Sequence, residues 1–369
     1  MPEYSISIAA GRIDIATERE DVPLREILTF ASRENARRTF LFVSKILGKH
    51  VPCRPRAMRE SYRRLATKLS GLESPVMTIG MAETAVGLGH GIHHSLHRQS
   101  PDADLVYIHT TRHHLERPPT LVFDECHSHA PEHLVYCPDE AYRATFDNAR
   151  SLVLVDDEIS TGRTMTELAT SYLRHNPRIE QVAVVSIVNW LSREQRAILH
   201  QKIGRPSLLF ASLVDGCFHF RHATNYSPQT ARRRSLRRTR LATARFGRTG
   251  IGTATPTIPH LTPRRKPILV VGTGEFVYPP FLIAEDLENR GYDVLFQSTT
   301  RSPIALGDGI ANKLTFEDNY GEQVPNFLYN APHDRDVILS YEHPDMPARH
   351  GLANLLEARG RNVTAITTV

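Results

Sequence analysis

The chain has 369 residues, 40% hydrophobic and 23% charged, with 45 Lys+Arg against 40 Asp+Glu and a formal net charge of +5. That balance excludes a wholly disordered chain and a collagen-like one, and the length suggests two domains. The positive excess is local: twelve of the basic residues lie between Arg221 and Lys266 with no acid among them, which leaves 33 bases against 40 acids elsewhere.

From the N-terminus, MPEYSISIAAGRIDIATERED has no basic start leading into an apolar stretch, so no secretion signal is read. VMTIGM (76–81) reads as a strand, and 82–98 as a helix weakened by Gly87, Gly89 and Gly91. DLVYIHTT (104–111) reads as a strand, and the polar, His-rich stretch 112–137 as a long loop. SLVLVDD (151–157) is an apolar run that stops at two acids. A helix over 164–175 follows from Met165, Leu168, Ala169 and Leu173. QVAVVSIVNW (181–190) is a strand, 192–202 a helix with Ser192 as N-cap, and SLLFASLV (207–214) a last strand. This alternation predicts a parallel sheet flanked by helices.

Residues 225–266 are basic and rich in Thr, Pro and Gly, and read as a linker. PILVVGTGEF (267–276) starts a second, smaller α/β domain. A helix is expected near 279–290, strands over 292–299 and 336–343, and a final helix over 348–360. The predicted organisation is therefore 1–224, linker 225–266, and 267–369. No internal repeat of fixed period is evident, and no run of about 18 apolar residues predicts a membrane span. Four scattered cysteines without a CxxC pair suit a reduced, cytoplasmic protein.

The informative segment is Leu152 to Thr164. A buried parallel strand ends in Asp156 and Asp157 at its carboxyl end, where open α/β sheets bind ligands. A Ser/Thr/Gly loop and a helix start follow, and such backbone amides hold anions. Ser160, Thr161 and Thr164 add hydroxyls, and Gly162 permits close backbone approach. Paired acids beside a phosphate loop suit a ribose 5-phosphate.

The segment resembles the PRPP-binding signature of type I phosphoribosyltransferases at every position. Gly80-Met81-Ala82-Glu83-Thr84-Ala85 lies where that family places its pyrophosphate loop, and Thr110-Thr111-Arg112 where it often places a basic residue. The phrase 40–50, the loop 123–130 and Thr300-Arg301-Ser302-Pro303 resemble one bacterial, orotate phosphoribosyltransferase-like subgroup. That subgroup carries a C-terminal TRSP domain, is associated with tellurium-resistance and stress-response gene clusters, and is thought to help make a nucleoside-like metabolite.

The resemblance implies a type I phosphoribosyltransferase fold followed by a smaller α/β domain. It implies Mg²⁺-dependent transfer of ribose 5-phosphate from PRPP to a nitrogenous base or base-like acceptor, with release of pyrophosphate. It assigns the ribose to Asp156 and Asp157, the 5-phosphate to Ser160, Thr161, Gly162, Arg163 and Thr164, and counts Glu158 and Ile159 with them among the PRPP-binding residues. Pyrophosphate falls to Gly80, Glu83, Thr84 and Arg112. Glu125, His127 or His129 would close over the site as acid/base groups. The loop from 112 to 137 lacks the lysine common in orotate enzymes, which argues against orotate itself as acceptor. A homodimer is compatible with the family.

Gly272 and Gly274 follow an apolar strand, Glu275 is an acid/base candidate, and Arg301 with Ser302 an anion site, so a second ligand site is expected over 267–369. Ten of the 19 histidines lie between His90 and His133, but no spacing matches a standard zinc pattern, and no zinc is assigned. The alternative function is a non-catalytic regulator that senses PRPP or nucleotide, or binds RNA through 231–248. That stretch has one aromatic, Phe246, and a solvated linker is preferred, so neither a nucleic-acid nor a membrane partner is expected.

Overall fold

The computed structural model describes residues 3–35, 38–117, 119–124, 132–228, 244–264 and 267–367. The chain opens with an antiparallel pair, β1 (Glu3–Ile8) and β2 (Gly11–Glu20), then helix α1 (Leu24–Ile27), a second pair β3 (Leu28–Ser32) and β4 (Phe40–Ser44), and α2 (Pro55–Thr67). The first core follows: β5 (Val76–Gly80), α3 (Val86–Gln99), β6 (Leu105–His109), β7 (Pro119–Asp124), β8 (Glu132–Tyr136), α4 (Glu140–Asn148) and β9 (Ser151–Val155). Next come β10 (Glu158–Ile159), α5 (Arg163–His175), β11 (Gln181–Asn189), α6 (Arg193–Ile203) and β12 (Ser207–His222).

Eight of these strands form one sheet in the order β1-β2-β12-β11-β9-β5-β6, with β10 beside β11, while β3–β4 and β7–β8 are separate antiparallel pairs. From β12 to β6 neighbours are parallel; β2 joins β12 antiparallel. Every residue of β5, β6 and β9 is buried. That is why those strands read as unbroken apolar runs.

The second core holds β13 (Ile268–Gly272), α7 (Tyr278–Asn289), β14 (Val294–Ser298), β15 (Lys313–Glu317), β16 (Pro325–Tyr329), β17 (Asp336–Tyr341), α8 (Leu352–Glu357) and β18 (Val363–Thr367). Its parallel sheet runs β14-β13-β17-β18. One hydrophobic core spans both sheets: Tyr62 of α2 meets Phe281 of α7, and His90 of α3 stacks on Tyr278 at 3.8 Å.

Several expectations are corrected. The stretch read as a loop contains the antiparallel hairpin β7–β8, whose short apolar runs Leu121-Val122 and Leu134-Val135 are masked by the surrounding His- and Pro-rich composition. The final strand of the first sheet continues to His222, where its second half pairs with β2. The glycines of α3 are packing sites: a Cβ on Gly91 would lie 2.1 Å from the Tyr62 ring, and one on Gly87 2.7 Å from Val277.

Residues 247–251 are no solvated connector. Tyr107 and Ile251 exchange backbone hydrogen bonds at 2.9 and 2.8 Å, the His109 N–H donates to Gly247 O at 2.9 Å, and Arg248 is buried. Backbone pairing along the edge of β6, which needs no apolar periodicity, orders this segment. The basic residues 229–243 lie outside the described residues. Among the described residues no helix is long and apolar enough to cross a membrane.

Candidate active site

The carboxyl ends of β9, β5 and β6 lie side by side, since Gly80 pairs with Val155 on one side and His109 on the other. Beyond Val155 the Asp156 N–H donates to Val185 O at 3.0 Å, and the Asp157 N–H donates to Asp156 Oδ1 at 2.9 Å. Both acids are half-buried. Burial, helped by the charge of Glu158, pushes the Asp157 carboxyl up to about 6, against the pull of Arg38. Glu158 and Ile159 form β10 along β11, and Arg38 donates to the Glu158 carboxylate at 2.6 Å. Of the three consecutive acids, Glu158 is thus taken by the β3–β4 hairpin connection, while Asp156 and Asp157 stay at the sheet edge.

Gly162, with φ of 68°, ends the loop as N-cap of α5. A side chain there would be strained, and its Cβ would lie 2.7 Å from Leu199. Arg163 runs along α5 to Glu167 at 2.9 Å. Among the described residues no acceptor meets the amides of Ser160, Thr161 or Gly162. Three backbone donors thus lie beside two carboxylates, and successive amides of this kind can hold an anion.

The loop after β5 is anchored to the acid pair's strand: the Met81 N–H donates to Val155 O at 2.9 Å, and the Ala82 N–H to Thr110 Oγ1 at 2.9 Å. The Ala82–Glu83 peptide bond is cis. The Glu83 carboxylate accepts from Thr300 Oγ1 at 3.0 Å and the Arg301 N–H at 3.2 Å, with Lys49 Nζ 3.7 Å away. Burial opposes the Glu83 charge, but Lys49, Arg301 and Arg112 hold its pKa below the usual range. Glu275 of the second core accepts from Thr111 Oγ1 at 2.7 Å and the Arg112 N–H at 3.2 Å. Arg301 donates to Glu322 at 2.7 Å, and His113 Nδ1 lies 2.8 Å from the same carboxylate.

Two families match this chain in turn: phosphoribosyl transferase over residues 27–216 and "TRSP domain C terminus to PRTase_2" over 242–358. The chain belongs to the phosphoribosyl transferase family. It is a transferase of the glycosyltransferase type, and its parallel sheet flanked by helices, with an added C-terminal sheet domain, is the expected fold. No curated protein matches it. Solved structures similar to it include adenine phosphoribosyl transferase from Trypanosoma brucei, complexed with AMP, pyrophosphate and ribose-5-phosphate (18% identity, 53% of this chain, 81% of that one, TM-score 0.38). Another is the Giardia lamblia APRTase complexed with 9-deazaadenine (12% identity, 52% and 97%, TM-score 0.36). A third is hypoxanthine phosphoribosyltransferase from Trypanosoma cruzi (11%, 45% and 78%, TM-score 0.28).

In this phosphoribosyltransferase, Asp156, Asp157 and 160–164 stand beside the loop carrying Gly80, Glu83 and Thr84. Arg112 is one strand further along. Glu125, His127 and His129 lie outside the described residues. Gly272, Gly274, Glu275 and Arg301 reach the same region from the second sheet, while Ser302 follows with its N–H on Thr300 Oγ1 at 3.1 Å. Sequence reasoning gave no role to Lys49, Arg248 or Glu322. The sequence carries no signal that separates Lys49 from the neighbouring Lys45, and Arg248 stands among other basic residues. Asp156 and Asp157 offer hard oxygen donors that fit Mg²⁺ shared with ligand phosphates. Among the described residues no three His, Cys, Asp or Glu side chains group as metal ligands. His90 and His93 are buried, and His93 Nε2 lies 2.8 Å from Gly252 O.

Proposed function

We propose that the enzyme transfers ribose 5-phosphate from PRPP to a nitrogenous base or base-like acceptor, releases pyrophosphate, and serves the synthesis of a nucleoside-like metabolite. The observation that carries this reading is the placing of Asp156 and Asp157 between an amide-lined loop ending at Gly162 and the 81–85 loop on the adjacent strand.

In this reading Asp156 and Asp157 accept hydrogen bonds from the ribose hydroxyls. The amides and hydroxyls of 160–164 hold the 5-phosphate against the start of α5. The 81–85 loop meets the pyrophosphate. As the bond from C1 to pyrophosphate breaks, the sugar takes on oxocarbenium character, which a nearby carboxylate stabilises. The raised pKa of Asp157 makes its ionisation costly in the free enzyme, and cationic charge developing at the sugar offsets that cost. Asp156 or Asp157 would hold Mg²⁺, which would supply charge neutralisation for the departing pyrophosphate.

The test is turnover of labelled PRPP with a panel of bases, using Asp157→Asn as control. Pyrophosphate released with one base, and lost in the variant by at least about a hundredfold, is the expected result. Full activity in Asp157→Asn would overturn the site assignment.

A further inference from the structure

The second core repeats the first. β5–α3–β6, hairpin β7–β8, β9–α5–β11 is matched by β13–α7–β14, hairpin β15–β16, β17–α8–β18, and the strands cross each sheet in the same order. The register agrees. Gly80 pairs with His109 and Val155; Gly272 pairs with Ser298 and Ser340. The N–H of Thr110 donates to Gly80 O at 2.9 Å, and that of Thr299 to Gly272 O at 3.0 Å. Thr110 Oγ1 accepts from the Ala82 N–H at 2.9 Å, and Thr299 Oγ1 from the Gly274 N–H at 2.8 Å. Thr111 bridges to Leu134 of its hairpin, and Thr300 to Phe327. The residues at these points are Gly-x-x-Glu (80–83 and 272–275) and Thr-Thr-Arg (110–112 and 299–301). Their separation differs between the copies, so a search for a fixed period passes over them.

The copies face each other with exchanged contacts, as in an isologous pair, where contact i–j recurs as j–i. Glu83 is held by the Thr300 hydroxyl and the Arg301 backbone N–H, with the Arg301 guanidinium 3.8 Å from its carboxylate; Glu275 is held by the Thr111 hydroxyl and the Arg112 backbone N–H. The segment ahead of each copy pairs with the other's edge strand: Gly48–Cys53 along β14, Gly247–Ile251 along β6. Gly48 and Gly247 both have positive φ, and each is followed by a cation that returns to its own copy's glutamate. Lys49 lies 3.7 Å from Glu83, and Arg248 2.9 Å from Glu275.

The first copy has α4 between its hairpin and β9, without a counterpart in the second, and the copies part again beyond β9 and β17. Asp156-Asp157 and the 160–164 loop follow β9. Glu342-His343-Pro344-Asp345 follows β17, and Glu342 is bound by Arg248 at 2.8 Å. The second copy has no Ser/Thr/Gly phosphate loop.

We infer that the C-terminal domain is a diverged copy of the transferase core that no longer holds a sugar phosphate and serves as its built-in partner, with Arg301 as a positioning residue that fixes Glu83 and the 81–85 loop for pyrophosphate. The role given to that loop rests on the phosphoribosyl-transfer reading above.

The test is calorimetry of inorganic pyrophosphate and of PRPP, each with MgCl2, on the full chain, together with steady-state kinetics. One PRPP per chain is expected. Arg301→Ala should weaken pyrophosphate binding and raise the KM for PRPP by about tenfold, with kcat within about twofold, and Arg301→Lys should recover part of the loss. Thr300→Val, which removes only the hydroxyl donor, should move KM in the same direction and keeps the test open if Arg301→Ala does not fold. Two PRPP per chain would overturn the loss of the second site. Unchanged pyrophosphate affinity and KM in both Arg301→Ala and Thr300→Val would overturn the positioning role. A wild-type chain that binds neither ligand would overturn the transfer reading itself.

Discussion

Arg248 Nε lies 2.9 Å from the carboxylate of Glu275, with both side chains almost wholly removed from solvent. The same guanidinium binds Glu342 at 2.8 Å. Burial works against the Arg248 charge, but the two glutamates hold its pKa well above its ordinary value. Removing the cation strands two buried carboxylates, which costs far more than the net worth of the pair. Arg248→Met is therefore expected to lose about 3–5 kcal/mol of stability in urea unfolding. The loss should shrink as the pH falls and the stranded acids protonate. Glu342→Gln in the Arg248→Met background should restore part of it.

Asp157 supplies a second expectation with a defined sign. Its folded pKa, near 6, stands above the ordinary 3.8, so its ionisation opposes folding. The cost is absent below about pH 4, grows through pH 5 and is complete above about pH 6. Asp157→Asn should stabilise the ligand-free enzyme by on the order of 1–3 kcal/mol at pH 7.5, and hardly at all at pH 4. Urea unfolding at the two pH values checks it. A gain of equal size at both would mean that charge is not the cause.

Gly91 tests the packing between α2 and α3. Alanine is the better helix former by about 1 kcal/mol. Its Cβ, however, would lie 2.1 Å from Tyr62 Cδ2 within a fully buried ring. Overpacking of this kind costs about 1–3 kcal/mol. Gly91→Ala should therefore destabilise in urea, and the penalty should fall when Tyr62→Leu is also present.

These cases show what the sequence made legible. Leu152–Val155 and Val182–Val185 are buried on both faces, so their apolar runs announce parallel strands, and the acids that end β9 mark the candidate site. Ser192 announces its helix too, and it forms a capping box with Gln195. What escaped detection is held by backbone pairing or by charge. Gly247–Ile251 lies along β6 through main-chain hydrogen bonds, which leave no side-chain pattern. Lys49, Glu83, Glu275 and Arg301 come from four distant stretches, and only the meeting of the two sheets brings them together. The duplication is hidden similarly, because its matched residues are a few polar groups at strand ends separated by unequal helices and loops.

Arg38 offers the sharpest probe of the acid cluster. It binds Glu158 at 2.6 Å, and both side chains are largely shielded from water. Arg38 lowers the Asp157 pKa while Glu158 raises it, so the pair acts on Asp157 as a partly cancelled dipole. Arg38→Ala removes the favourable half and leaves the Glu158 charge beside Asp157. The Asp157 pKa should then climb further, by roughly half to one unit for a charge at this range in a partly solvated site. On the proposed reading, in which the ionised carboxylate receives the ribose hydroxyls, the acid limb of the pH profile of kcat/KM should move upward by the same amount. Arg38→Lys, which keeps the charge, should move it less. Glu158→Gln added to Arg38→Ala should bring it back down, because the raising charge is then gone. An acid limb that stays fixed in Arg38→Ala would show that it reports a group other than Asp157.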